Sequence, residues 1–518
     1  MRWYAAVATR LTYTTGERSA ELDRAFESAL AEVRASEPEP LAHLVGGRDV
    51  ETGAVFERED PSRRASVASR AREGGELAAT AVERAREAQR EWRRLPYEDR
   101  LALLRAAARL IDERKLELAA AVTMEAGKVR TESIAEVEEA IDLIETYCAQ
   151  VEATDGLVHE LGTLSAGERN TDVLRPYGVF GVIAPFNFPF ALAFGMTSAA
   201  LAAGNAVVLK PPEEAPRSGG AVALLLAEAG VPDGVISLVH GGPETGAALV
   251  GAGVDGIAFT GSAEVGRGIA RRLAEGPFPR PVLAEMGGKN AAVVGASADL
   301  DAAAEGIARA AFGFSGQKCS ACSRAIVVDA VHDELVERLA AQAAAYTVGD
   351  PADADVATGP VVNAQAVERF ERSVAAALAD GRVAAGGRRA GDDGWFVEPT
   401  VVAGLPPGHA LARDELFLPF LVVVRVPDFE AALAEANAVP YGLTAGVFSR
   451  DEAELDRFLD EIEAGVVYVN RRAGATTGAW PGIQSFCGWK SSGLTGKGGL
   501  GPYYVQQFAR EQSRTVVS

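Results

Sequence analysis

Val179-Phe-Gly-Val-Ile-Ala184 opens an alternation that decides the fold. Ala206-Val-Val-Leu209, Val235-Ile-Ser-Leu-Val239 and Gly256-Ile-Ala-Phe-Thr260 follow it, each a short β-rich run. Helix-like stretches, among them 219–229 and 264–274, lie between or after these runs. Parallel neighbours need a crossover long enough to hold a helix, so this alternation predicts a parallel sheet covered by helices. A second alternation follows Glu285. Ala292-Val-Val294 and Ala325-Ile-Val-Val-Asp329 read as strands, 300–312 and 332–346 as helices, and 420–426 and 465–469 as further strands. The expectation is an α/β protein with two lobes, each built on a twisted sheet of parallel type.

Upstream, 18–34 and 76–150 read as mostly helical. In Arg100-Leu-Ala-Leu-Leu-Arg-Ala-Ala-Ala-Arg-Leu-Ile-Asp-Glu-Arg114 the apolar residues recur at three- and four-residue spacing with charges between them. The mixed runs 156–177 and 503–517 read as strands of an arm that packs on another part of an oligomer, and 386–394, rich in glycine and charge, as a surface turn.

Composition narrows the function classes. A chain of 518 residues exceeds one simple core. With 48% hydrophobic and 24% charged residues it is an ordinary globular chain, not a disordered or fibrous one. A formal charge of −21 suits a phosphate backbone poorly, so no nucleic-acid partner is expected. The start, 1–10, is too weakly apolar for a signal peptide, and no run of about 18 apolar residues offers a membrane span. The alanine-rich stretch 190–203 comes nearest. Four cysteines, Cys148, Cys319, Cys322 and Cys487, are too few for a disulfide scaffold and point to a cytoplasmic protein with reduced thiols. The five histidines are scattered, so no metal site is expected.

Single motifs carry little here. Gly496-Lys-Gly-Gly-Leu-Gly501 matches G-x-G-x-x-G but lacks the preceding strand and following helix, and reads as a flexible loop rather than a phosphate cradle. Cys319-Ser-Ala-Cys322 lacks the second pair that a zinc ribbon needs. A thiol following Lys318 in a loop of small residues suits an accessible, activated thiolate, although a cysteine is as often a buried hydrophobe.

Six segments taken in order change that balance: Pro185-Phe-Asn187-Phe-Pro189, Lys210-Pro-Pro-Glu213, Phe259-Thr-Gly-Ser-Ala-Glu-Val-Gly266, Glu285-Met-Gly-Gly-Lys289, Gly316-Gln-Lys-Cys319 and Glu415-Leu-Phe417. With them the chain resembles the aldehyde dehydrogenase superfamily from about residue 40 to its end. The resemblance implies two Rossmann-like lobes, one for the cofactor and one for catalysis, and a β-arm for oligomerisation as a homodimer or dimer-based oligomer. It implies the division 1–154 (helical part of the NAD-binding domain), 155–174 (arm), 175–286 (NAD-binding core), 287–475 (catalytic domain), 476–502 (substrate-anchor loop and return) and 503–518 (arm). Cys319 is then the nucleophile, the Asn187 amide and the Cys319 backbone N–H hold the oxyanion, and Glu285 activates water against a thioester.

The same resemblance assigns the cofactor, NAD rather than NADP. Lys210 and Glu213 would bind the adenosine ribose, and an acidic group there accepts from a 2′-hydroxyl and repels a 2′-phosphate. Gly261, Ser262, Val265 and Gly266 frame a turn opening a helix that can meet a pyrophosphate. Glu415 and Phe417 would position the nicotinamide ribose, and Ile183, Pro185, Gly242 and Met286 complete the set. Leu418 departs from the glycine usual in that position.

Within the superfamily the resemblance is to the enzymes that oxidise L-glutamate γ-semialdehyde, the form of 1-pyrroline-5-carboxylate opened by water. The N-terminal extension, the Lys318-Cys319-Ser320 context, Gly195 in place of a bulky aromatic, and Thr477-Gly-Ala-Trp-Pro-Gly-Ile-Gln-Ser-Phe486 carry it. It implies a small-molecule semialdehyde held at its α-carboxylate by the N–H groups of Gly478 and Ala479. Ser320 and Lys318 would stand beside it, and Phe188 and Phe486 would flank its aliphatic chain. The stretch 473–476, Cys487 and Trp489 depart from that pattern, and another amino-acid or dicarboxylic semialdehyde or a general aldehyde stays open as substrate. A CoA-acylating relative generally lacks the base that Glu285 would supply, and a non-catalytic relative would be expected to have lost Cys319 or Glu285.

Overall fold

The structure, a computed structural model, describes residues 11–15 and 19–518. The run at 1–10 and Arg18, at the head of the first expected helix, lie outside the described residues. That helix spans Ala20–Ala35, with the Ser19 hydroxyl accepting from the Leu22 N–H as its N-cap.

Two seven-stranded sheets form the two lobes. In the first, the spatial order is Val282–Met286, Gly256–Gly261, Val179–Ile183, Ala206–Lys210 and Ile236–Leu238, all parallel. An antiparallel hairpin, His43–Val45 with Arg48–Val50, extends its edge. In the second, Arg382–Ala385, Thr400–Ala403, Phe420–Val426, Cys322–Val328, Asn290–Val294, Thr444–Phe448 and Val466–Val469 run in that order. They are parallel except for the first. The expected strand–helix alternation is present in both lobes. The helix expected at 300–312 is Leu300–Phe312, and that at 332–346 is Asp329–Ala345.

The alanine-rich stretch nearest to a membrane span is an internal helix, Ala191–Ala202, buried on nearly every side against the long helix Arg130–Glu152. Enclosure explains an apolar surface all round. No helix among the described residues is long and apolar enough to cross a membrane. Between these two helices lies a fully buried ion pair, Lys128 Nζ to Glu136 Oε2 at 2.6 Å. The other Glu136 oxygen accepts the N–H groups of Phe190 and Ala191 at the helix start. The charge is thus paired, and its remaining acceptor capacity satisfies two orphan donors.

A three-stranded antiparallel sheet stands apart: Ala509–Val517 pairs with Glu168–Pro176, which pairs with Val158–Glu160. The preceding residues Tyr504, Val505 and Phe508 are buried in the core of the first lobe.

Candidate active site

Three loops at the junction of the lobes build one pocket. The first precedes strand Cys322–Val328. Phe314 and Ser315 take left-handed backbone angles there, φ 50° and 51°. The Ser315 hydroxyl donates to the Gly359 carbonyl at 2.6 Å, and Gln317 Oε1 accepts the Val362 N–H at 2.8 Å, so the turn is held on both sides. The Asn290 amide donates to the carbonyls of Cys319 (2.8 Å) and Ala321 (2.9 Å). The Cys319 side chain therefore leaves a clamped backbone and lines the pocket.

The second contribution is the C-terminal end of strand Val282–Met286. Glu285 lines the pocket opposite, with Oε2 buried and unpartnered. Burial pushes its carboxyl up to about 8, opposed only by the Gly499 N–H. The glycine-rich run 496–501 is a loop, as expected, and it packs directly on this carboxylate. A side chain at Gly498 would meet Glu285 Oε1 at 2.6 Å.

The third is the run 476–486. Arg471 donates to the carbonyls of Thr477 and Gly478, both at 3.0 Å, and the Trp480 indole donates to Asp142 at 2.7 Å. Those bonds fix the loop with Gly478 at φ 92°. Among the described residues, the N–H groups of Gly478 and Ala479 have no hydrogen-bond partner.

Phe188, Met286, Lys318, Ser320, Gly478, Ala479 and Phe486 share this pocket with Cys319 and Glu285. Asn187 does not line the pocket: it is 3% exposed, next to the lining residue Phe188, with its amide donating to the Gln317 carbonyl at 3.0 Å. Gly195 also lines the pocket, where a side chain would press on Leu143 at 3.0 Å. Sequence reasoning missed Tyr13, Glu139, Tyr147 and Tyr504 on its walls. Their helical or terminal segments carry no motif, and only the packing of the lobes brings them in.

One expectation fails. Lys318 does not activate the thiol, because its Nζ is paired with Glu132 Oε1 at 2.5 Å. Burial, then the carboxylates of Glu415 and Glu285, push the Cys319 thiol up to about 12, so it rests protonated. The second thiol of the C-x-x-C, Cys322, makes no disulfide with it here. Both are free thiols, and Cys322 is buried with its Sγ donating to the Arg324 carbonyl.

Four of the residues expected to hold a cofactor lie along one rim of the first sheet. Ile183, Lys210, Gly261 and Met286 are the last residues of four adjacent parallel strands, the rim at which open α/β sheets take ligands. Pro185 follows the first of these strands. Ser262 caps helix Ala263–Ala274, its hydroxyl accepting the Val265 N–H at 3.3 Å, and Gly266 approaches Met286 so closely that a side chain would meet the sulfur at 2.6 Å. Gly242 precedes the proline that opens helix Pro243–Gly251. Lys210 Nζ is buried and lies 3.3 Å from Glu213. Glu415 accepts the Gly288 N–H at 3.0 Å, and Gly287 is bare because a side chain there would collide with that carboxylate. Phe417 takes φ 58° and packs edge-on to Phe186 at 5.8 Å. Leu418, where glycine was the expectation, is buried in the second lobe.

A half-buried thiol and a half-buried carboxylate lining one pocket beside a dinucleotide-type sheet rim fit a class of oxidoreductase that works through a covalent cysteine adduct. The chain belongs to the aldehyde dehydrogenase family, whose profile matches residues 48–513. A 1-pyrroline-5-carboxylate dehydrogenase of Geobacillus sp. (strain WCH70) is 38% identical over 95% of this chain and 96% of that protein. The crystal structure of 1-pyrroline-5-carboxylate dehydrogenase from Thermus with bound NAD superposes with a TM-score of 0.93 at 36% identity, covering 98% of this chain and 99% of that one. Proline utilization A from Bdellovibrio bacteriovorus gives 0.92 at 35% identity; there 96% of this chain spans only 52% of the other.

Proposed function

We propose that this protein oxidises L-glutamate γ-semialdehyde to L-glutamate with NAD, the aldehyde step of proline catabolism. The observation that carries the reading is a pocket with a thiol and a carboxylate at one part of its wall and, at another, the N–H groups of Gly478 and Ala479, which are unpaired among the described residues. An aldehyde bearing an α-carboxylate satisfies both; an uncharged aldehyde leaves the two donors unmet.

Glu285, in the same pocket, takes the Cys319 proton, and the sulfur attacks the aldehyde carbon. The Asn187 amide and the Cys319 N–H hold the resulting oxyanion. NAD, when bound, supplies the acceptor for the hydride lost from that carbon. A thioester on Cys319 remains. Glu285 passes the thiol proton to solvent; ionised again, it draws a proton from water as the water oxygen attacks the thioester, and it returns that proton to the departing thiolate as the acid leaves. Because ionised Glu285 is the working base, turnover limited by deacylation should rise with pH and level off above about 8. A pH–rate profile already flat from 6 to 9 would contradict that role.

The strand-end residues fit NAD. Lys210 is matched by Glu213, so a 2′-phosphate would meet an acidic group, which favours NAD over NADP. We read the three-stranded sheet as the arm of a homodimer or dimer-based oligomer; all of Ala509–Val517 but its first residue is exposed, and it pairs on one side only.

The anchor is testable apart from the chemistry. Ala479→Pro removes one N–H, and a bond from it to a carboxylate is worth about 1.5–3 kcal/mol. The variant should lose one or more powers of ten in kcat/KM toward glutamate γ-semialdehyde and much less toward an uncharged aldehyde of similar length. Equal losses would mean general damage to the loop.

A further inference from the structure

The pocket has a wall that comes from outside the stretch matched by the family profile. Leu11–Thr15 lies against the anchor loop. Thr14 fills the space over Gly478, where a side chain would meet its Cγ2 at 2.5 Å, and accepts from Arg471 Nη2 at 3.5 Å. Tyr13 reaches into the pocket itself. Its ring packs edge-on to Phe188 and Trp480, both at 5.6 Å between centroids, and Lys318 Nζ stands 5.5 Å from its centre. Its hydroxyl donates to Glu139 Oε2 at 2.5 Å. Burial, and then the Glu139 charge, hold the phenol well above its usual pKa, so it stays a donor.

We propose that Tyr13 is a specificity-determining residue: it closes the pocket at the anchor loop and excludes aldehydes whose tails run past the carboxylate site. Three contacts fix the ring: the hydrogen bond to the long helix, the aromatic edge on Trp480 of the anchor loop, and the edge on Phe188. A substrate ending at the N–H groups of Gly478 and Ala479 stops short of the ring, whereas an unbranched aldehyde several carbons longer would have to displace it. The inference rests on the aldehyde reading of the pocket, not on glutamate γ-semialdehyde being the substrate.

The test is kcat/KM along a series of unbranched aldehydes from propanal to nonanal, with NAD, for the full chain and for Tyr13→Ala, Tyr13→Leu and Tyr13→Phe. The wild type should fall by about tenfold or more between pentanal and nonanal, since a pocket wall discriminates by that order per badly placed methylene. Tyr13→Ala should remove most of that fall, chiefly through a lower KM for nonanal. Tyr13→Leu should remove part of it, and Tyr13→Phe, which keeps the ring, should retain it. The smaller change to leucine keeps the experiment readable if alanine unsettles the segment. A wild-type profile without the fall, or the same profile in the alanine and leucine variants as in the wild type, would overturn the proposal. These aldehydes carry no α-carboxylate, so a preference against glutamate γ-semialdehyde defeats the substrate reading separately.

Discussion

Replacing Cys319 with alanine should lower kcat for aldehyde oxidation by at least about three powers of ten, the scale on which a covalent nucleophile is missed. No other thiol can stand in. Cys322 is buried in the second lobe and bonded to the Arg324 carbonyl, Cys148 is buried, half-buried Cys487 has its Sγ donating to the Gly465 carbonyl at 3.5 Å, and none of the three lines the pocket. The substitution removes one sulfur from a backbone that Asn290 and the Gln317 turn hold independently of it, so the fold and the strand rim at Ile183, Lys210 and Gly261 should persist. NAD affinity, read by calorimetry, should therefore change by no more than about threefold. Turnover within a factor of about ten of wild type would remove Cys319 from the nucleophile role. Cys322→Ala should keep most of its activity.

Glu285→Gln should separate the two halves of the reaction. The amide keeps the size of the side chain but cannot take a proton, and a missing general base costs about 10²–10⁴ in rate. Its steady-state rate should fall by that order and lose the rise with pH toward 8. Pre-steady-state mixing should still show a burst of NADH, because the thioester forms and then waits for water. That burst needs the thiol proton to leave by another route, through water, so it should grow in more slowly as pH falls below the Cys319 value. An unchanged steady-state rate would place the base elsewhere; equal loss of burst and steady state would limit Glu285 to taking the thiol proton.

Both lobes were legible in the sequence because parallel strands buried on two faces must be short β-rich runs separated by helices, as in 179–260. The edges were not. The strands His43–Val45, Arg48–Val50 and Arg382–Ala385 are only three or four residues long, too short to show an alternation, and the hairpin joins its sheet only through the distant pair Leu44–Leu238. At the site, Cys319, Glu285, Asn187 and the anchor loop could be named from motifs, since their chemistry is local to a few residues. Electrostatics could not be named in this way. The lysine beside Cys319 reads as an activator until its partner Glu132, 186 residues away, is seen to hold it. Tyr13 illustrates the same limit: nothing in Leu-Thr-Tyr-Thr-Thr marks a pocket wall until Glu139 and Trp480 are placed beside it. The loop 496–501 looked like unused flexibility and turns out to support the Glu285 carboxylate.

The most direct test of the central claim is a comparison of kcat/KM, with NAD in excess, for glutamate γ-semialdehyde and pentanal, an uncharged aldehyde with the same five-carbon chain. Binding of the α-carboxylate by the N–H groups of Gly478 and Ala479 predicts a preference for the semialdehyde of about tenfold or more. Equal efficiencies, or a preference for pentanal, would contradict it.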